Sequence, residues 1–161
     1  MIRLATALLA LATTQAHAGP LDGKSYIIEL SSSQYDSGYG NYLVPPLAKV
    51  MARSGLRAQN GPGADIVVNI QTASDVGQWF VKGTNRVWTY TLSITVGLSP
   101  ESYVIPFEGT PAFGVTARLK TPNPDREDEL ACLITLAART ALANYRPEGH
   151  LSTDGSSCLR P

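Results

Sequence analysis

Residues 87–96 read Val-Trp-Thr-Tyr-Thr-Leu-Ser-Ile-Thr-Val, and their alternation decides the fold. Trp88, Tyr90, Leu92, Ile94 and Val96 fall on one side of an extended chain, with Thr89, Thr91, Ser93 and Thr95 on the other. That is the period of a strand with one face in a core and one face polar. Phe113, Val115, Ala117 and Leu119 repeat the pattern against Thr116, Arg118 and Lys120, and Ile66, Val68 and Ile70 repeat it against Asp65, Asn69 and Gln71.

Upstream, Ser25–Leu30 is a short β-rich run, and the polar, glycine-bearing stretch 31–41 reads as a loop. From Tyr42 the spacing becomes helical, with Leu43, Val44, Leu47, Val50 and Met51 on one face and Gly55 placed to stop the helix. Pro45-Pro46 fits such a helix in its first turn, where the missing N–H groups have no intrahelical partner. Leu56–Gln59 is expected as a brief edge strand. Tyr103–Phe107 is demoted by Pro106 to an edge piece or loop.

The second helix is opened by Asn123-Pro124, with Asp125, Glu127 and Asp128 where the helix dipole favours negative charge. Its buried stripe is Leu130, Leu133, Ile134, Ala137, Ala138, Ala141, Leu142 and Tyr145, which leaves Cys132 on the outer face with Leu136, Arg139 and Ala143. The order of elements predicts an α+β fold. It is a two-layer sandwich of a mostly antiparallel sheet, roughly four to six strands wide, with two helices on one face.

The first residues bound the compartment. Arg3, the apolar run Leu4–Ala12 and Ala16-His17-Ala18 before Gly19-Pro20 are the three parts of a secretory signal peptide over residues 1–18. The run is too short to span a bilayer, no cysteine stands at the cleavage site to carry a lipid, and no later segment is a transmembrane candidate. A periplasmic or secreted chain is expected. Residues 19–146 form a single α/β domain, large enough to bury roughly two-thirds of the surface its unfolded chain exposes, and residues 147–161 form a C-terminal tail. In an oxidising compartment Cys132 and Cys158 pair. That disulfide, worth about 3 kcal/mol in the chain-entropy model, tethers the tail over the second helix with Leu151 or Leu159 covering Leu136.

Without residues 1–18 the chain carries 12 basic against 13 acidic residues, a balance that offers no field for nucleic acid or anionic lipid. No cofactor is implied. Gly38-Tyr39-Gly40 stands where a phosphate loop would, but lacks a third glycine and a following Gly-Lys-Ser/Thr. Beyond His17, the one histidine is His150, read as a solvated tail residue. His150, Asp154 and Cys158 lack the spacing of a metal site. Asp36, Asp65, Asp75, Glu101 and Glu108 could supply a catalytic carboxylate pair, as in a small hydrolase, although solvated charge is the default reading of each.

Gln78-Trp79-Phe80-Val81, inside the connection 72–86, is the stretch that asks for a reason. Either two strands run on and these side chains complete the core, or Trp79 and Phe80, with Gln78, are anchors for a partner or ligand. The polar strand face of Asn69, Gln71, Thr89, Thr91, Ser93 and Thr95 poses a similar choice between water and a second copy or envelope protein.

The element order, the runs Gly-Leu-Arg-Ala-Gln and Gly-Ala-Asp-Ile-Val-Val-Asn-Ile within residues 55–70, and Ala-Leu-Ala-Asn-Tyr-Arg-Pro at 141–147 resemble a bacterial envelope family of small lipoprotein-like α/β domains of unknown function. The chain departs from many of these in lacking the lipid-bearing cysteine. The resemblance implies location and fold. The functional expectation is an exported, non-catalytic domain that binds or assists assembly of an envelope component. Alternatives are the carboxylate hydrolase and a self-associating structural protein.

Overall fold

A computed structural model describes residues 19–30, 38, 40–102 and 110–160. The expected signal peptide, the Tyr103–Phe107 piece, Asp36 and Glu108 lie outside the described residues. The elements are β1 (Ser25–Leu30), α1 (Gly40–Arg53), β2 (Arg57–Ala58), β3 (Ile66–Ser74), β4 (Gln78–Lys82), β5 (Asn85–Pro100), β6 (Phe113–Thr121), α2 (Glu127–Ala143) and β7 (Gly149–Asp154), closed by a short 3-10 turn over Ser156–Cys158. The α+β sandwich expected from the sequence is the fold observed.

One sheet holds the strands in the order β2-β1-β3-β5-β6-β7, and β4 pairs with β5. Its centre is antiparallel, with nine register pairs in β3·β5 and nine in β5·β6. Both flanks are parallel. β1 runs parallel to β2 and β3 across α1, and β7 runs parallel to β6 across α2. Each parallel pair is joined through a helix because a tight turn cannot reverse the chain between parallel strands.

The helices pack against each other and on one face of the sheet. Leu43, Leu47 and Met51 of α1 meet Leu133, Ile134 and Ala137 of α2 over Val68, Ile94 and Val115, all fully or almost fully buried. The alanines at 137, 138 and 141 keep α2 narrow on its core side, where each is completely buried. Truncating Leu43 or Leu133 in such a site leaves a void and removes about 2–5 kcal/mol.

Two expectations are corrected. First, α1 begins at Gly40, so Pro45 and Pro46 lie inside the helix rather than in its first turn. Each withdraws an N–H from the helical ladder. Asn41 and Tyr42, whose carbonyls are freed, are exposed, and water can serve them. Second, residues 147–161 are not a strap laid over α2. Gly149–Asp154 joins the sheet as β7, and the chain meets α2 beyond it, where Gly155 lies against Leu133, Cys158 is bonded to Cys132 and the Arg160 N–H donates to Glu129. Leu159 is 46% exposed, whereas Leu151, on β7, is partly buried against the core. The polar sequence of β7 hid it, because an edge strand with most of its side chains in water has no hydrophobic alternation to read.

The expected disulfide is present, joining Cys132 on α2 to Cys158. Arg160 is then gripped at both backbone groups. Its N–H donates to Glu129 Oε1 at 3.0 Å and its C=O accepts from Arg126 Nη1 at 3.0 Å. Glu129 is fully buried and paired with Arg126 at 3.3 Å.

Candidate functional site

β5 is sixteen residues long and α2 seventeen. At about 3.3 Å per strand residue and 1.5 Å per helical residue, the strand is roughly twice the length of the helix above it. One end of β5 must therefore overhang the helix layer. The overhang is Asn85–Thr89, and β4 pairs with it to make a two-stranded ribbon.

The ribbon is set off from the main sheet by a bulge. β3·β5 pairing ends at Ser74↔Leu92 and β4·β5 pairing begins at Gln78↔Thr89, so three residues, Asp75-Val76-Gly77, face the two residues Tyr90 and Thr91. Asp75 closes it. Its Oδ1 accepts from the N–H of Thr91 at 2.8 Å and of Gly77 at 3.0 Å, and its own N–H donates to the Thr91 carbonyl at 3.2 Å. These bonds, the Thr91 N–H first and the Thr91 hydroxyl next, hold the Asp75 carboxyl below the usual carboxylate range. Gly77 has φ +79°, and the Trp88 indole occupies the space a β-carbon would need there.

One extra residue inverts the alternation. On β3 the even-numbered Ile66, Val68 and Ile70 face the helices, whereas on β4 the odd-numbered Trp79 lies opposite Trp88. Trp79 and Trp88 meet edge to face, with ring centroids 5.3 Å apart. Phe80 pairs with Val87 on the other face, where Lys120 of β6 places its ammonium 5.8 Å from the Phe80 ring centre. A two-residue turn, Gly83-Thr84, closes the ribbon between Lys82 and Asn85, with Gly83 at φ +64° as tight hairpins favour.

Exposure tells against the core reading of this stretch. Trp79 is 64% exposed, Phe80 50%, Val81 60%, Val87 45% and Trp88 37%. These side chains do not complete the core, and the placing of Trp88 on a core-facing side is corrected, because the helix layer ends before reaching it. Gln78 is exposed beside them, on the Phe80 face. Val87, Trp88 and Lys120 belong to the cluster although the sequence did not single them out for it. The length of the alternating run was the clue.

The other candidates fall into local structural roles. Asp65 precedes β3 and Asp75 follows it, so the strand separates them. Asp65 accepts from the Ser25 N–H at 2.8 Å, the Ser25 hydroxyl and Lys24, which lower its pKa to about 2. A general acid needs the opposite shift. Glu101 accepts from the Gly63 N–H. His150 is not in a loose tail but in β7, where its Nε2 shares a hydrogen bond with Thr116 Oγ1 at 3.0 Å, and Thr116 shares another with Thr95 at 2.6 Å. Asp154 accepts from Ser156 and Cys158 is in the disulfide, so His150, Asp154 and Cys158 do not form a set. Among the described residues no three His, Cys, Asp or Glu side chains are grouped to hold a metal ion. Gly38 makes a turn into α1, its carbonyl accepting from the Asn41 N–H.

The polar sheet face is not uniformly wet. At its Pro100 end Ser99 is 1% exposed and holds the Ala112 N–H, and Pro111 lies over Gly97, where a β-carbon would strike the proline ring. No helix of the described residues is long and apolar enough to cross a membrane.

No protein-family model matches the chain. No curated protein matches it. Among solved structures it is similar to a minor lipoprotein from Acinetobacter baumannii, at 15% identity and a TM-score of 0.45 over 75% of this chain and 91% of that one. It is also similar to a PDZ domain protein from Parabacteroides distasonis, at 6% identity and a TM-score of 0.48 over 78% of this chain and 33% of that one. Likenesses at this level assign no residue of this chain a role.

Proposed function

We propose that this is an exported, non-catalytic domain of the bacterial envelope that docks on another envelope component through the β4–β5 ribbon. The carrying observation is the exposure of Trp79, Phe80, Val81, Val87 and Trp88 on a ribbon joined to the sheet through the Asp75 bulge. Adjacent large apolar side chains in water are unfavourable by about 25 cal/mol for each Å² left unburied, and their grouping on one short ribbon supports an interaction site. Aromatic residues contribute most to docking because they bury large area with few rotatable bonds. The Cys132–Cys158 disulfide supports an oxidising compartment, since cytosolic reductants keep such thiols apart.

The test is photo-crosslinking in intact cells from a probe at position 80, compared with a probe at Ser152 on the exposed edge strand. The proposal expects products from position 80 that are absent from Ser152. Equal yields from the two positions would remove the ribbon's special standing.

A further inference from the structure

Deepening that reading, and resting on it, we infer that the component met by the ribbon is an anionic lipid surface. Both faces of the ribbon present exposed apolar side chains among polar and cationic ones, which packing on a single core cannot explain. One face carries Trp79, Val81 and Trp88, and the other carries Phe80 and Val87. A flat protein partner covers one face of a ribbon and leaves the other wet. A fluid apolar phase covers both.

Charge follows the same geometry. From Val76 to Pro100 there is no acidic residue, while Lys82 and Arg86 flank the turn and Lys120 lies against Phe80. The near-neutral balance of the whole chain therefore conceals a local segregation: the tip that is apolar is also cationic. Aromatic side chains at headgroup level with lysine and arginine beside them are the composition of a membrane interface, and anionic headgroups complement the cations.

Depth is limited by two observations. β4 spans five residues, about 17 Å at strand rise, against a hydrocarbon layer of about 30 Å. Among the described residues β4 pairs only with β5, so its outer edge keeps polar backbone groups that hydrocarbon would leave unsatisfied. The ribbon accordingly seats in the headgroup and upper acyl region and does not cross.

Trp79 and Trp88 are the only tryptophans in the chain, so its indole fluorescence reports this ribbon alone. The chain from Gly19 onward is titrated with vesicles of phosphatidylcholine and phosphatidylglycerol in equal parts, and with pure phosphatidylcholine vesicles. Brominated acyl chains serve as depth-sensitive quenchers. The inference expects a blue shift and quenching on the anionic vesicles, with partitioning at least tenfold weaker on the neutral ones. Replacing Lys82 and Arg86 together by alanine should weaken partitioning by about 25-fold, fivefold for each cation near an anionic surface. Absence of quenching on both vesicle types overturns the inference, as does partitioning indifferent to vesicle charge or to those two cations. If quenching is absent while position 80 still crosslinks selectively in cells, the lipid assignment falls and docking through the ribbon stands. If the crosslinking selectivity fails as well, both fall.

Discussion

Trp79 and Trp88 face each other across the β4–β5 ladder, ring centroids 5.3 Å apart and planes at 84°. They do so because the bulge at Asp75-Val76-Gly77 adds one residue to the β3–β4 side. Without it, the alternation that buries Ile66, Val68 and Ile70 would carry Gln78 and Phe80 onto the Trp88 side. Val87 and Trp88 need the same overhang to reach water. The site is thus a consequence of strand length and of a single inserted residue.

Gly77→Ala tests the bulge. A β-carbon would meet the Trp88 indole, and φ +79° costs a non-glycine residue about 1–2 kcal/mol. Thermal unfolding should shift down by several degrees. The far-UV exciton band of the tryptophan pair should weaken, because relieving the clash moves Trp88 away from Trp79.

The disulfide should stabilise the chain by about 3–4 kcal/mol for its 26-residue separation. Urea unfolding with and without reductant measures this. Hydrogen exchange should show the first protection lost along β6·β7, whose outer strand is attached to the rest of the fold at its far end through Cys158.

Glu129→Ala should lower stability by about 1–3 kcal/mol, the range for stranding a hydrogen-bonding partner in a buried setting. Glu129 is fully buried, accepts the Arg160 N–H and pairs with Arg126. Removing Arg160 and Pro161 should make the substitution less damaging, which a double-variant cycle in urea would show.

Acid should unfold the protein partly through Asp65. Its carboxyl titrates at about 2 in the folded chain against 3.8 in the unfolded one, because the Ser25 N–H and hydroxyl and Lys24 favour the charged form. A depressed carboxylate contributes fully above the unfolded value and loses that contribution as pH falls from about 4 to about 2. Asp65→Asn should make the acid limb of stability shallower over that window. It will not flatten it, since Asp75 and Asp154 are lowered too, the first mainly by the Thr91 N–H and the second mainly by the Ser156 hydroxyl.

The two-layer architecture was legible because apolar residues recur with clean periods. Leu92–Val96 alternates, and Leu130–Ala141 repeats at helical spacing, and the apolar side of each is buried as read. The start of α1 was less legible, since Pro45-Pro46 suggested a later first turn than the observed Gly40. β7 was hidden because Gly149–Asp154 is polar and its partner, β6, is remote in sequence. The site was half legible. Trp79 and Phe80, beside Gln78, stood out as large aromatic residues where a loop was expected, but their exposure depended on the helix layer stopping short. Trp88 looked like the beginning of a buried face because alternation says which side a residue takes and nothing about whether that side is covered.

One paired measurement separates a docking role of Trp79 and Phe80 from a role in the core. Trp79→Ala/Phe80→Ala is compared with the unaltered chain for thermal midpoint and for the fraction that co-sediments with envelope membranes. The pair is 64% and 50% exposed, and the lost edge-to-face contact is worth about 0.5–1.5 kcal/mol. A docking role therefore predicts a Tm lowered by only a few degrees, with membrane association reduced at least tenfold. A collapse in Tm, or association unchanged in a folded variant, would contradict it.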